Sequence, residues 1–249
     1  APAALAGSLV QVIAETLASL LLIDLIKPGH PVIFGPWPFV TDLRTGSFSG
    51  GSGEEAIMSA ASAQITNHYG LASSVGAGMT DSKSPDAQAG YEKGITVALA
   101  ALAGCNNVSE SSGMMASLMG YSYESLVIDN DMLGMVMRTV RGIEVNEETL
   151  SYRAIKDTVE GEGHFLRDPQ TLELMKTEYL YPTLADRSTQ EEWEAEGSPD
   201  MRQRAEKRAR EILNSHYPVY IDDETDKKVR DTYPIEISRD VIKPTKDRF

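Results

Sequence analysis

Hydrophobic and polar positions follow two patterns along the first two-thirds of the chain. The short β-like runs that predict strands lie at 31–35, 72–77 and 106–110. The longer runs that predict helices lie at 3–26, 54–70, 86–103 and 123–141. Strands that alternate with helices through short connections form a parallel sheet, so the pattern predicts an α/β fold.

The spacing of these units suits either a (β/α)8 barrel of the TIM-barrel type or a doubly wound sheet. Three or four strand–helix units would make half of an eight-fold barrel. The GxGxxG fingerprint of dinucleotide-binding folds is absent. GAGMTD after the second strand matches that fingerprint only in part.

After about residue 145 the strand signals fade and helices dominate, predicted at 147–160, 169–179 and 188–215. Within the last of these, 199–214 reads as an amphipathic charged helix with an inner face of Met201, Ala205, Ala209 and Ile212. The last thirty residues read as a charged, wrapping tail. We therefore divide the chain into a half-barrel, 1–145, and a helical extension with a tail, 146–249.

Charge and cysteine content narrow the possible partners. The chain has 23 basic and 37 acidic residues, a net charge of −14, which disfavours nucleic acid and anionic membrane surfaces. Its single cysteine fits a reducing cytoplasm. The apolar N-terminal run has no basic segment before it and is interrupted by Gln11, Glu15 and Asp24, so we expect a largely buried helix of a cytoplasmic protein instead of a signal peptide or membrane span.

Ligands of parallel α/β folds bind at the carboxyl ends of the strands, so the residues that follow each strand are candidates. The first strand contributes Phe34 and Trp37, and the second is followed by Asp81, Ser82 and Lys83. The residues that follow the third strand are Ser109, Glu110, Ser112, Gly113, Met114, Tyr121 and Tyr123. A fourth candidate strand end is GEGHF, 161–165, which contains His164.

Most of these residues also have a purely structural interpretation. Asp86 behind a proline suits a helix N-cap, and Asp42 can simply pair with Arg44. Lys83 can be a solvated loop lysine, and His164 can be a structural histidine. Tyr121 and Tyr123 can be core aromatics at a helix start. Glu110 is harder to dismiss, because a carboxylate at a strand end that points into a barrel mouth needs a partner, a cation or a proton.

Together the strand ends offer aromatic faces and carboxylates. That combination suits an organic cation, in particular a quaternary ammonium, through cation–π attraction and charge. No Ser-His-Asp spacing, phosphate cradle or metal cluster competes with it in the sequence, and we expect no directly bound metal.

Five stretches in chain order carry a resemblance to a known family. They are APAALAGSLVQVIAETLA, VIFGPWPFVTDLRTGSFSGGSGE, DSKSPDAQAGYEK, SESSGMMASLMGYSYESLVIDNDMLGMVMRTVRGIEV and EGHFLRDPQTLELM. With them the chain resembles the C-terminal half of the trimethylamine methyltransferase family, which includes glycine betaine methyltransferases. The resemblance covers most of residues 1–215.

The resemblance implies a TIM barrel that moves a methyl group from an amine to Co(I) of a corrinoid, which a separate cognate protein carries. Members that act on trimethylamine contain pyrrolysine, expected near Asp81–Lys83, whereas this sequence has ordinary residues there. It is therefore similar to the non-pyrrolysine type, for which quaternary amines such as glycine betaine are the expected substrates. We also expect a homo-oligomer.

These expectations assign roles to residues. Asp81, Lys83 and Glu110 are the predicted catalytic residues, and Ser112, Gly113 and Met114 are predicted to meet the corrinoid. The predicted substrate-binding residues are Phe34, Trp37, Ser82, Ser109, Tyr121, Tyr123 and His164. Betaine-type members often have histidine where Glu110 stands, and Glu110 would repel a substrate carboxylate, which leaves room for a choline-like amine.

Two other hypotheses about the function remain open. The chain could be a barrel relative that binds a small cationic methylamine without turnover. Alternatively, it could belong to an unrelated barrel enzyme that uses Asp81 and Glu110 as an acid–base pair.

Overall fold

The computed structural model describes residues 1–161 and 163–238. Its helices are α1 Leu5–Ile26, α2 Gly53–His68, α3 Ala87–Leu102, α4 Tyr123–Arg141, α5 Tyr152–Glu160, α6 Pro169–Leu174, α7 Gln190–Ala195, α8 Met201–Ser215 and α9 Asp223–Thr232. Its strands are β1 Ser74–Gly76, β2 Asn107–Ser109, β3 Met114–Met115 and β4 Gly120–Tyr121. The strand–helix order of the first part is the α/β pattern predicted from the sequence.

The central sheet is parallel and follows chain order. β1 pairs with β2 through Ser74↔Asn107, Val75↔Val108 and Gly76↔Ser109, and on its other side it meets Phe34 in a parallel bridge at Ser73. The predicted strand 31–35 is thus reduced to one bridge. Pro31 and Pro36 flank it, and neither can donate a backbone hydrogen bond to a longer ladder.

The core lies between this sheet and the helices behind it. Val75 and Ala77 are fully buried, and they pack in one cluster with small and β-branched residues of three helices: Ala63, Val97, Ala100 and Val136. Small side chains let α2 and α3 approach each other and the sheet closely. This packing fixes the carboxyl ends of β1 and β2, where the candidate residues lie.

Three helix starts agree with the sequence prediction because each has a side-chain cap. Ser52, Asp86 and Ser122 accept hydrogen bonds from backbone N–H groups one turn into α2, α3 and α4, respectively. The interpretation of Asp86 as an N-cap is therefore confirmed. The N–H of Ala89 and the hydroxyl of Ser82 hold the pKa of Asp86 below its ordinary value, and burial opposes this shift.

The N-terminal helix α1 is not buried as predicted. Ile13 is its one buried residue, and an apolar surface of Leu21, Leu22, Leu25 and Ile26 is exposed. Among the described residues α1 is the single helix long and apolar enough to cross a membrane, which on its own is weak evidence for a membrane protein. The prediction of burial was wrong because, within the described residues, α1 contacts chiefly α2.

The predicted helix 188–215 is two helices, α7 and α8. The chain turns at Gly197 and Ser198, which have φ of 87° and 54°, and Pro199 follows, so a continuous helix cannot form. The inner face predicted for α8 is confirmed at Ala205 and Ala209, which are buried, and is wrong at Ile212, which is exposed. The predicted wrapping tail contains α9, which Asp222 caps. Residues 239–249 of that tail lie outside the described residues.

Asp131 on α4 connects the two halves of the chain. Its carboxylate accepts hydrogen bonds from the backbone N–H groups of Thr183, Leu184 and Ala185, and from the Thr183 hydroxyl. Burial alone would raise the pKa of Asp131, but these four bonds outweigh it and lower that pKa. The described residues form part of an α/β layer and close no barrel. The division at 145 stays a prediction.

Candidate active site at the carboxyl ends of the strands

The sheet has one apolar face and one polar face. Because side chains alternate along a strand, the register places Val75 and Val108 towards the helices and Ser74, Asn107 and Ser109 on the opposite face. The Asn107 amide donates to both serine hydroxyls at 3.0 Å, and the two hydroxyls lie 3.3 Å apart. Ser109, a predicted substrate residue, therefore belongs to a polar network on the face that the helices leave uncovered.

Trp37 covers part of this polar face. Its ring approaches the positions where side chains would stand on Gly35 and Gly76, so the absence of side chains at these glycines makes room for it. Trp37 contacts Phe39 edge to face at 6.4 Å between ring centroids, and Phe39 contacts Phe48 at 5.0 Å. A half-buried aromatic ring therefore lies beside the strand ends, and the assignment of Trp37 to a cation site stays a prediction.

Phe34 lies elsewhere. It pairs in register with Ser73, so it points to the helix-facing side of the sheet together with Val75, and it is only 2% exposed. Phe34 therefore contributes to the core and has no surface to offer a substrate. The prediction for Phe34 was wrong because a strand of one bridge shows no alternation in sequence. The sequence therefore does not indicate which face of the sheet the Phe34 side chain occupies.

The turn after β1 is built around Asp81. Its Oδ1 accepts hydrogen bonds from Gly50 N at 3.0 Å and Ser117 Oγ at 2.8 Å, and its Oδ2 accepts one from Ser49 Oγ at 2.8 Å. Asp81 thereby ties the turn to the loop before α2 and to the loop after β2. This geometry gives Asp81 a structural role, while its catalytic assignment stays a prediction.

Glu92 on α3 holds the same turn from behind, a role that the sequence analysis missed. Its Oε2 accepts from Thr80 Oγ1 at 2.5 Å and from Asp81 N at 2.8 Å, and its Oε1 accepts from Gln88 at 2.8 Å. Glu92 is 7% exposed, and a side chain on Gly51 would overlap it. A carboxylate in the inward stripe of a helix is the signal that could have identified it.

Ser82 and Lys83 are both engaged within the turn. The Ser82 hydroxyl donates to the carboxylate of the N-cap Asp86 and to the carbonyl of Ser84, each at 2.9 Å, and Ser82 is buried. Lys83 is exposed, and its ammonium donates to the carbonyl of Asp81 at 2.7 Å. Both side chains are therefore hydrogen-bonded within the turn itself. Their substrate and catalytic assignments stay predictions.

A second buried acid, Glu55, lies in the first turn of α2. It is 1% exposed, its Oε1 accepts from Ser59 Oγ at 3.3 Å, and its Oε2 has no partner among the described residues. Burial raises the pKa of Glu55 from 4.5 to about 8; hydrogen bonds from Ser59 and Val40 oppose this, and the charge of Asp81 adds to it. This raised pKa favours the neutral carboxylic acid form of Glu55 at pH 7.

Glu110 ends β2 in a left-handed conformation, with φ of 61°, which is uncommon for a non-glycine residue. Its side chain is exposed, and within the described parts of the chain no hydrogen bond or ion pair engages its carboxylate. The predicted need for a partner is thus not met by residues 1–161 and 163–238. The carboxylate is available to a ligand.

The loop after Glu110 forms a small hairpin, Gly113–Ser122, that the sequence did not predict. β3 and β4 pair through Met114↔Tyr121 and Met115↔Gly120. Gly113 has φ of 78°, and a side chain there would collide with the Tyr121 ring. Met114 and Ser112 are half-buried at its base, so the predicted corrinoid-facing residues cluster in this hairpin.

The tip of the hairpin is strained and anchored to the Asp81 turn. Ala116, Ser117 and Leu118 are all left-handed, with φ of 51°, 55° and 70°. Each such residue costs about 1–2 kcal/mol. Ala116 N and Ser117 N donate to the carbonyls of Ser82 and Thr80 at 2.8 and 2.9 Å, which holds the strained conformation in place.

Tyr121 and Tyr123 lie side by side at the end of the hairpin. Their rings meet edge to face at 5.9 Å, and both side chains are more than half exposed. Burial, followed by the charges of Tyr123 and Asp129, raises the pKa of Tyr121 above its ordinary value. The core interpretation of these tyrosines is therefore wrong, and they offer aromatic surface to solvent.

His164 is not at a strand end. The residues that precede it form α5, so the predicted fourth strand end at 161–165 was wrong; residue 162 lies outside the described residues.

The pairing predicted for the first loop is confirmed, since Arg44 contacts Asp42 at 2.6 Å and its hydrogen bonds lower the pKa of Asp42 to about 2. Within the described chain no group of three or more His, Cys, Asp or Glu could hold a metal ion.

Comparison with known proteins identifies the family. The family model for trimethylamine methyltransferase matches residues 1–234. The glycine betaine methyltransferase of Desulfitobacterium hafniense strain Y51 is 39% identical over 229 residues, which is 92% of this chain and 47% of that protein. The trimethylamine methyltransferase MttB of Methanosarcina thermophila is 40% identical over 221 residues, 89% of this chain and 45% of that protein.

A further relative, the trimethylamine methyltransferase MttB of Desulfitobacterium hafniense strain DSM 10664 / DCB-2, is 36% identical over 86% of this chain and 42% of its own length. The chain thus spans about half the length of the curated relatives that it matches. The family model covers nearly the whole chain, including all three strand-end loops described above. The chain therefore belongs to the trimethylamine methyltransferase family.

Proposed function

We propose that this chain is part of a methyltransferase that moves a methyl group from a quaternary amine to the Co(I) of a corrinoid carried by a cognate protein. The observation that supports this proposal is family membership combined with ordinary residues throughout the Asp81–Lys83 turn. We further propose that the parallel strands are part of a (β/α)8 barrel and that the polar sheet face lines its interior.

The absence of pyrrolysine from this sequence favours a quaternary substrate for a chemical reason. When a nucleophile attacks the methyl carbon of a quaternary ammonium, the C–N bond breaks, its electron pair stays on nitrogen, and a neutral tertiary amine leaves. No proton transfer is needed. The protein has only to hold the cation in line with the methyl acceptor and to exclude water.

Several residues of the loops that follow the strands have the chemistry that a cation requires. Glu110 presents a carboxylate that no described side chain engages, and Trp37, Tyr121 and Tyr123 present aromatic faces. Charge and cation–π attraction both favour a methylated ammonium over a neutral compound of the same shape. Glu110 disfavours a second carboxylate, so within this proposal a choline-like amine is a better substrate than glycine betaine.

The methyl acceptor belongs to a partner protein, and the hairpin Gly113–Ser122 is the element proposed to meet it. The hairpin is polar at its base and exposes Met119 and Tyr121, which fits a surface that another protein covers temporarily. When bound, the corrinoid supplies the nucleophile. Residues of this chain contribute only position and desolvation, which agrees with an Asp81 carboxylate that three hydrogen bonds already engage.

The proposal is tested with the protein, a reduced corrinoid protein and a panel of methylated amines. We expect the absorbance of the methylated corrinoid to appear with quaternary amines, fastest with choline-like compounds, and trimethylamine to react at least tenfold more slowly. A rate that is highest with trimethylamine would contradict the substrate class. A rate independent of the corrinoid protein would favour the unrelated acid–base enzyme.

A Glu110→Gln variant tests the cation site by calorimetry. We expect affinity for a quaternary amine to fall about fivefold, the effect of an exposed charge worth roughly 1 kcal/mol. A neutral analogue with tert-butyl in place of trimethylammonium should bind both forms equally. Glu191→Gln, a change on α7 far along the chain, is the control. Unchanged affinity in Glu110→Gln would remove Glu110 from the site.

The alternative, a relative that binds a methylamine without turnover, shares this cation site. It predicts the same calorimetric result and no methylation of the corrinoid. The two measurements together therefore separate the two functions.

A further inference from the structure

An ion pair is buried between α3 and α4, behind the candidate active site. Lys93 is 1% exposed, and its Nζ donates to Asp129 Oδ2 at 2.6 Å and to Ser125 Oγ at 2.8 Å. Asp129 is 3% exposed. Burial is the largest influence on the pKa of Lys93 and lowers it, although the bond to Asp129 opposes that change. Nothing in the proposed reaction uses this pair directly.

The pair ends on the backbone of the hairpin. The same Asp129 oxygen that binds Lys93 also accepts the N–H of Gly113 at 2.7 Å, at the point where the hairpin begins. The hairpin closes on the same residue, because Ser122 N donates to the carbonyl of Gly113 at 3.1 Å. One buried carboxylate oxygen therefore fixes the base of the hairpin against α3 and α4.

From this base the hairpin reaches the turn after β1. Its left-handed tip donates from Ala116 N and Ser117 N to that turn, and Ser117 Oγ donates to Asp81 at 2.8 Å. The hairpin is therefore attached at two places, its tip and its base. The base is held by a charge pair whose members come from two helices, 36 residues apart in sequence.

Stability alone is a poor reason for such a pair. Removing two charges from water is unfavourable, and well-packed apolar residues of similar volume often replace a buried ion pair with no loss of stability. An apolar pair could not accept the N–H of Gly113, however. The Gly113 N–H at the start of the hairpin therefore requires an acceptor oxygen at position 129.

We propose that Lys93 and Asp129 are positioning residues that set the Gly113–Ser122 hairpin at the height and orientation that the methyl-acceptor protein requires. The pair acts through Gly113 and touches neither the amine nor the acceptor. This inference rests on the proposed function, because it gives the hairpin a role in docking the carrier protein.

The test compares the double variant Lys93→Met/Asp129→Leu with the parent protein. We expect it to remain folded, to bind quaternary amines with parental affinity, and to require about a tenfold to hundredfold higher concentration of corrinoid protein for half-maximal methyl transfer. Lys93→Met/Asp129→Asn, which leaves no unpaired buried lysine and whose amide oxygen can still accept from Gly113, should recover most of that loss. Glu206→Gln, which removes an exposed ion pair on α8, is the control.

Hydrogen exchange gives a second readout that is independent of catalysis. Amides of 113–122 should exchange at least tenfold faster in the double variant, while amides in the middle of α3 and α4 stay protected. Unchanged exchange in the hairpin would overturn the inference. If the hairpin loosens but the parent protein methylates no corrinoid, the positioning of the hairpin stands and the proposed function fails. If the hairpin loosens and the requirement for corrinoid protein is unchanged, the docking role is wrong.

Discussion

Replacing Glu92 with alanine is expected to reduce the free energy of unfolding by about 2–4 kcal/mol, because buried donors lose their acceptor. The Glu92 carboxylate accepts from the Thr80 hydroxyl, the Asp81 backbone and the Gln88 amide. The first two lie inside the turn after β1, where water cannot replace the carboxylate without opening the turn. Denaturant unfolding followed by circular dichroism measures the change.

Gln88→Ala is the matched control for Glu92→Ala. It removes the half-buried donor of the same carboxylate and leaves both bonds to the turn intact, so it should lower the free energy of unfolding by less than about 1 kcal/mol. If the two variants unfold at the same denaturant concentration, the turn is not held by Glu92. Glu92→Ala should also lower the rate of methyl transfer per folded molecule, because Asp81 then loses the hydrogen bond that orients it.

The second large effect concerns pH. The pKa of Glu55 is 4.5 in an ordinary environment and about 8 in the folded protein. Between these values the folded state holds one more proton than the unfolded state, so the free energy of unfolding falls as the pH rises from about 5 to 8 and levels off above that. The contribution is fully present below the unfolded pKa and is lost as the pH passes the folded pKa.

Glu55→Gln removes this titration and keeps the size of the side chain. We expect the variant to have a flatter dependence of stability on pH between 5 and 8 and to be more stable than the parent at pH 8.5 by about 2–5 kcal/mol. Glu54→Gln, an exposed neighbour in the same helix turn, is the control. Parallel pH profiles for Glu55→Gln and the parent would show that Glu55 is already ionised at neutral pH.

The elements that could be predicted from the sequence are those with a local signal. Ser52, Asp86 and Ser122 each cap a helix by bonding to a residue three positions later, so the helix starts can be read from a few neighbouring residues. The strands predicted at 72–77 and 106–110 were also correct, whereas the one predicted at 31–35 is a single bridge. Local sequence specified where each strand lies, though the observed ladders are shorter.

The parts that could not be predicted depend on partners far along the chain. Lys93 meets Asp129 36 residues away, and the left-handed conformation of Ala116 and Ser117 is held by the turn near residue 81. Neither feature has a local signature, since alanine and serine do not favour left-handed backbone. Glu92 and Lys93 do leave one trace: both are charged residues in the stripe of α3 that faces the interior.

We propose that this family member takes methyl groups from quaternary amines, and one experiment tests that proposal most directly. The protein is incubated with reduced corrinoid protein and a choline-like amine whose N-methyl groups carry deuterium, and both products are analysed by mass spectrometry. We expect one deuterated methyl group on the corrinoid for each molecule of tertiary amine formed. Intact binding of the amine with no label on the corrinoid, for every quaternary amine tried, would contradict it.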